Sequence, residues 1–114
     1  MMPRFEVTVR GRRRSIQIEA VVDTGFEGLL CLPMEVAQWI GCEIAGWGEL
    51  KLVDGNEKRF PTVWCDVDLL GASARVRAFV TELEDPLIGT ELLENCQLTM
   101  DFDSGSVQLK RKEP

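Results

Sequence analysis

The sequence contains no histidine, and this absence removes more chemistry than any other feature of its composition. Histidine-based triads, imidazole metal ligands and a near-neutral imidazole base are all excluded. Cysteine is sparse: Cys31, Cys42, Cys65 and Cys96 are widely spaced, with no C-x-x-C pair. A zinc site therefore has no local support, and each cysteine reads as a buried free thiol. No apolar run approaches a membrane span, and the N-terminal MMPRFEVTVRGRRR lacks the apolar core of a signal peptide. The expectation is a soluble cytoplasmic protein with reduced thiols, using no metal or other cofactor and no membrane.

Positive charge is also in short supply. Lys and Arg number 13 against 19 Asp and Glu, a net charge of −6, which argues against nucleic acid as a partner. The largest basic run, Arg10 to Arg14, reads as a solvated hairpin tip. Catalysis is left to carboxylates, thiols, hydroxyls and amines. With 114 residues, 45 % of them apolar, the chain suits one domain over 1–114. At this size a second copy of the chain is a natural way to bury more apolar surface.

The pattern that is present is mostly β. Phe5, Val7 and Val9, then Ile16, Ile18 and Ala20, alternate with polar residues on either side of the RGRRR turn, which predicts a hairpin. Alternation stops at Ala20, Val21 and Val22, so both strand faces become buried just before Asp23. Pro33 and Gly41 bracket a short helix over Met34 to Ile40. From Glu49 the pattern is again β, turning at Asp54-Gly55 into a strand from Lys58 to Leu69, where Pro61 suggests an edge or bulge. Val63, Cys65, Val67 and Leu69 share one face, and Ala74, Val76, Ala78 and Val80 form the next strand. After the acidic loop Glu82 to Pro86 come a brief Leu87-Ile88 strand and Gly89. Thr90 is then expected to cap a short helix to Glu94. Leu98, Met100 and Phe102 make another strand, a turn at Asp103 to Gly105 leads to Val107 and Leu109, and the charged tail is solvated. Many short strands in one domain indicate a small barrel or sandwich.

The chemistry centres on Asp23-Thr24-Gly25. A carboxylate at the end of an apolar strand costs several kcal/mol unless it shifts its protonation or finds partners. Two readings are open on these residues alone: an aspartate capping a turn, with Gly25 supplying its shape, or a carboxylate placed for catalysis. Asp103-Ser104-Gly105 is a near match, but nothing after Gly105 could build a second lobe, and DFDSGSV reads as a turn.

The Asp-Thr-Gly strand end, the segment LLCLP with its helix, the hairpin around VDGNE, and Leu87-Ile88-Gly89 before LTMDF together resemble the retropepsin-like (clan AA) aspartic proteases of the short single-domain bacterial type. The resemblance spans nearly the whole chain. It implies a closed β-barrel with one or two short helices and one lobe per chain. It further implies a homodimeric aspartic endopeptidase whose Asp23 pairs with the same residue of a second copy. Thr24 and Gly25 would support the catalytic loop. A peptide or protein substrate would meet Phe26, Glu27, Gly28, Leu87, Ile88 and Gly89, and a flap formed by Val53, Asp54, Gly55 and Asn56. Two positions depart from the pattern: Phe26 stands where relatives carry Ala or Ser, and Thr90 stands where retroviral relatives have an arginine that braces an acidic residue such as Glu27. A dimer of the same fold that binds peptide without cutting it is the alternative, and a monomeric barrel without a dyad is a third. Light scattering at micromolar concentration separates them first: both dimer readings predict twice the mass of one 12.8 kDa chain, and the third predicts one.

Overall fold

The computed structural model describes residues 3–51 and 54–112. The first alternating stretches form β1 (Arg4–Arg10) and β2 (Ser15–Val22), paired antiparallel from Arg4 opposite Val21 to Arg10 opposite Ser15. Val7 and Val9 point inward while Arg4 and Glu6 stay exposed, as a period of two requires. Ala20, Val21 and Val22 are all buried.

The basic turn between these strands is exposed, yet it is docked. The backbone N–H groups of Arg12 and Arg13 donate to Gly41 O and Ile40 O at 3.0 Å each, and Arg14 Nη1 donates to Trp39 O at 2.7 Å. These carbonyls end α1 (Met34–Ile40), which has no basic residue in its own last turn. Arg14 thus supplies the cation that a helix C-terminus favours, and the backbone of Arg12 and Arg13 satisfies its other carbonyls. Gly41 closes the helix with φ 76°, its N–H shared between Ala37 O and Gln38 O.

β3 (Leu30–Pro33) leads into that helix with all four residues buried. β4 (Glu43–Lys51) and β5 (Glu57–Leu69) form a long hairpin paired from Glu43 opposite Trp64 to Lys51 opposite Glu57. β4 begins six residues earlier than the sequence pattern suggested, counting from Glu43 to Glu49. Gly46 and Gly48 hide its alternation, and a bulge lies between Ile44 and Gly46. Pro61 sits where β5 pairs only with β4, because pairing with β6 (Ala72–Thr81) starts at Thr62. β7 (Leu87–Ile88) runs parallel to β2 and antiparallel to β3. β3 in turn runs parallel to β6.

β1 also pairs with β5, through Thr8 to Arg10 opposite Asp68 to Asp66. The sheet therefore closes as a six-stranded barrel, β1-β2-β7-β3-β6-β5, with β4 flanking β5 outside the ring. Arg10 ties the seam by an ion pair with Asp68 and a 2.8 Å hydrogen bond to Ser73 Oγ, and the Ser73 and Arg10 hydrogen bonds hold the Asp68 carboxyl below its usual range. Barrel strands and α1 enclose a core of Val7, Val9, Leu30, Leu32, Ile40, Val67 and Ile88, among others.

Two expectations at the C-terminal end are corrected. Thr90 to Glu94 forms tight turns, with Leu92 N donating to Gly89 O and Leu93 N to Thr90 O, so α1 is the one α-helix among the described residues. A segment this short cannot offset the cost of nucleating an α-helix. β8 (Cys96–Met100) stops before Phe102, which is 79 % exposed in the turn to β9 (Val107–Arg111). There Asp101 accepts from the N–H groups of Asp103 and Ser104 at 2.9 and 3.3 Å, which ends the ladder. β8 and β9 form a separate two-stranded sheet, whose Leu98 and Leu109 pack on the core. Leu32 is fully buried in β3, so Leu32→Ala should lower unfolding free energy by about 2–5 kcal/mol, measured from urea midpoints.

Candidate active site

β2 carries Asp23 out of the core on a backbone held from both sides. Val21 N donates to Pro86 O at 2.9 Å, Val22 N to Pro3 O at 2.8 Å, and Asp23 N to Ile88 O at 3.0 Å. The Asp23 side chain is half-buried, more open than its apolar approach suggested, because the barrel rim ends at Val22. Asp23 Oδ1 accepts from Gly25 N at 2.9 Å, and Phe26 N donates to Asp23 O at 3.1 Å. The two readings of the triplet therefore coexist in one geometry. One carboxylate oxygen shapes the turn, while the other takes no hydrogen bond among the described residues and is not a buried orphan. Thr24 and Gly25 are exposed in the single chain.

Beyond the triplet the loop is tied to the segment that follows β7. Gly89 N donates to Leu29 O (3.1 Å), Thr90 N to Phe26 O (2.8 Å) and Glu91 N to Gly28 O (3.2 Å), with Thr90 Oγ1 also 3.4 Å from Phe26 O. Three successive N–H groups thus satisfy three loop carbonyls. Thr90 braces the loop through its backbone, and Glu27 is left exposed. Leu87 is half-buried and Ile88 fully buried; with Gly89 they lie beneath the loop and do not line the neighbouring cleft. Cys31, also nearby, has its thiol pushed up to about 12, first by burial and then by the Asp23 carboxylate. Protonated at neutral pH, it is a poor nucleophile.

The cleft has a volume of about 660 Å³ and lies between the triplet loop and the β4–β5 hairpin. Phe26, Glu27 and Gly28 line it, together with Gly25 and Leu29, while Asp23 and Thr24 are not part of its lining. The opposite wall comes from Gly48 to Lys51 and Glu57, and the end from Thr62, Arg77, Phe79 and Glu91. None of these far-wall residues was singled out by the sequence, since strand pairing alone brings them opposite the loop from Gly25 to Leu29. The one available signal was their place on a hairpin that could act as a flap. Asp54, Gly55 and Asn56 stand at the exposed tip, where Asp54 accepts from the backbone and side-chain nitrogens of Asn56 at 2.9 and 3.0 Å. They do not line the cleft in the single chain, and Val53 lies outside the described residues.

Phe26 stacks edge to face on Phe79, with ring centroids 6.3 Å apart. Arg77 anchors the base of the hairpin: its Nε donates to Thr62 Oγ1 at 3.0 Å and its Nη2 to Trp47 O at 3.0 Å. Thr62 in turn donates to Gly46 O at 3.0 Å. Among the described residues no three His, Cys, Asp or Glu side chains converge as a metal ion would need, and no helix is long and apolar enough to cross a membrane. A Cβ on Gly89 would lie 2.1 Å from Gly28 O and 2.7 Å from the Phe26 ring. Gly89→Ala should therefore push the loop outward and cost about 1–3 kcal/mol, read by chemical denaturation, with a larger proportional loss in any Asp23-dependent activity.

No family model and no curated relative matches the sequence. Solved structures do match. The protease of EIAV, complexed with the inhibitor HBY-793, superposes with a TM-score of 0.68 at 14 % identity, covering 93 % of this chain and 90 % of that one. A retropepsin-like aspartic protease from Rickettsia conorii gives 0.60 at 19 % identity, over 93 % and 80 %. The retroviral protease-like domain of Ddi1 from Leishmania major gives 0.59 at 17 %, over 96 % and 89 %. At such low identity the likeness is one of fold: this chain builds a single retropepsin-like lobe.

Proposed function

We propose that the protein is an aspartic endopeptidase that acts as a homodimer, with Asp23 of each copy forming the catalytic pair. The observation that carries this reading is the half-exposed Asp23 carboxylate, two residues before the stretch Gly25 to Leu29 that lines a peptide-sized cleft. One of its oxygens is fixed by Gly25 N, and its loop is bonded throughout to the segment after β7. One chain supplies one such aspartate, so a second copy completes the site. Thr24 and Gly25 are exposed and accessible to that copy, and the β8–β9 pair, which joins no other strand among the described residues, offers edges for it. The likeness in fold to the EIAV protease, itself complexed with an inhibitor, supports the peptidase reading. The single lobe and the likeness to the Rickettsia conorii protein support the short bacterial type. Four free cysteines support a reducing, cytoplasmic setting.

In the dimer two adjacent carboxylates cannot both ionise readily, so the pair holds one proton between them. The ionised aspartate takes a proton from water as the water oxygen attacks the scissile carbonyl carbon. The protonated aspartate donates to the carbonyl oxygen. Collapse of the resulting tetrahedral species breaks the C–N bond, with the proton passed to the departing nitrogen. The β4–β5 hairpin would close over the peptide and exclude bulk water. Cleavage should be favoured at acid pH and lost as rising pH removes the shared proton. Asp23→Asn should leave the unfolding midpoint and solution mass unchanged while lowering cleavage of a peptide library by roughly 10²–10⁴-fold or more. A statine-type transition-state mimic should block the wild type. Cleavage retained in Asp23→Asn would overturn the assignment.

A further inference from the structure

The cleft beside Asp23 is lined by two kinds of surface. Phe26, Leu29, Leu50 and Phe79 provide apolar area, and four exposed carboxylates, Glu27, Glu49, Glu57 and Glu91, stand around it. The glutamates come from three separate segments: the triplet loop, the β4–β5 hairpin and the turn after β7. Among the described residues none of the four takes part in an ion pair.

Two cations, Arg77 and Lys51, share these walls with the four carboxylates, and among the described residues neither forms an ion pair with them. Arg77 spends its Nε and Nη2 on Thr62 Oγ1 and the carbonyls of Ala45 and Trp47. Lys51 lies directly opposite Glu57 in the hairpin register and faces that carboxylate first. Glu49 likewise lies opposite Arg59 in that register, which leaves Glu27 and Glu91 with neither a cross-strand cation nor an ion pair among the described residues. Glu27 and Glu91 flank one place: Glu91 N donates to Gly28 O at 3.2 Å, so both belong to the braced loop that carries the triplet.

A pocket with aromatic and aliphatic walls and carboxylates at its rim suits a side chain with an aliphatic stem and a cationic head. Lysine and arginine have that shape, burying their methylenes and leaving the charge at the edge. We propose that the cleft takes peptides with a Lys or Arg side chain seated beside Asp23, and that Glu27 and Glu91 determine this specificity. The assignment of a cut at that position rests on the peptidase reading of Asp23. A net charge of −6 adds a long-range attraction for cationic peptides, which salt screens over about 8 Å at physiological ionic strength.

Two measurements test the proposal separately from the peptidase reading. The first is cleavage of a randomised peptide library by the wild-type protein and by a double variant, Glu27→Lys with Glu91→Lys, both checked for an unchanged thermal midpoint. Lys or Arg should be enriched over Asp or Glu at one position next to the cut by at least about tenfold, the effect of one charge-assisted hydrogen bond, and the double variant should reverse the preference. The second is fluorescence anisotropy of a labelled octapeptide with a central Lys, and of its Glu counterpart, on the Asp23→Asn protein. The Lys peptide should bind more tightly, with a difference that shrinks at high salt. Cleavage without basic preference, or with the same preference in the double variant, overturns the specificity and leaves the peptidase intact. Tight binding of the Lys peptide with no wild-type cleavage supports the specificity and overturns the peptidase. Neither cleavage nor binding overturns both.

Discussion

The hydrogen bond from Asp23 N to Ile88 O joins the two halves of the chain at the one place where the site is made. It continues the short parallel ladder of Val21 with Leu87 and Val22 with Ile88. Parallel pairing cannot be closed by a tight turn, and the intervening chain builds β3 through β6 before it returns. The ladder is only two residues long, so it depends on what covers it. Ile88 is fully buried, and β3 lies on the other side of β7. A loop whose own carbonyls are satisfied by Gly89, Thr90 and Glu91 then has little freedom to move. The Asp23 carboxylate is thus placed by backbone bonding and core packing, and among the described residues it has a single hydrogen bond of its own, from Gly25.

The same economy recurs around the barrel. Closure between β1 and β5 removes an open edge from each of those strands, and the Arg10–Asp68 pair sits at that seam. The basic turn after β1 serves the C-terminus of α1, so a charge run that looks purely solvated also caps a helix. At the hairpin, Arg77 replaces backbone pairing lost at the Ile44–Gly46 bulge by donating to the carbonyls of Ala45 and Trp47. That anchor holds the base of the hairpin against Thr62 and leaves its tip exposed.

Much of this was legible in the residues. The period of two in Phe5 to Ala20, and the shared face of Val63, Cys65, Val67 and Leu69, report directly on burial because a strand turns each side chain to the opposite side. Asp23 was legible as an interruption, a carboxylate following three buried apolar residues. Where local signals competed, reading failed. Gly46 and Gly48 masked the start of β4, and Thr90 offered a cap to a segment too short to become a helix. Phe102 kept the alternation of β8, but the neighbouring Asp101 had already turned the chain.

The sequence by itself determined the β character of the chain, its hairpins, the single Asp-Thr-Gly strand end and the lack of any histidine to assist it. These follow from side-chain size, charge and period, which are local properties. Only the tertiary structure decided what faces the loop after Asp23: the Phe26–Phe79 contact, the wall from Gly48 to Lys51, the anchor at Arg77, and the glutamates around the cleft. Those residues lie far apart in the chain and meet only because the strand pairings bring them together. Pairing between distant strands is chosen by the burial of the whole core, so no short stretch of sequence carries it.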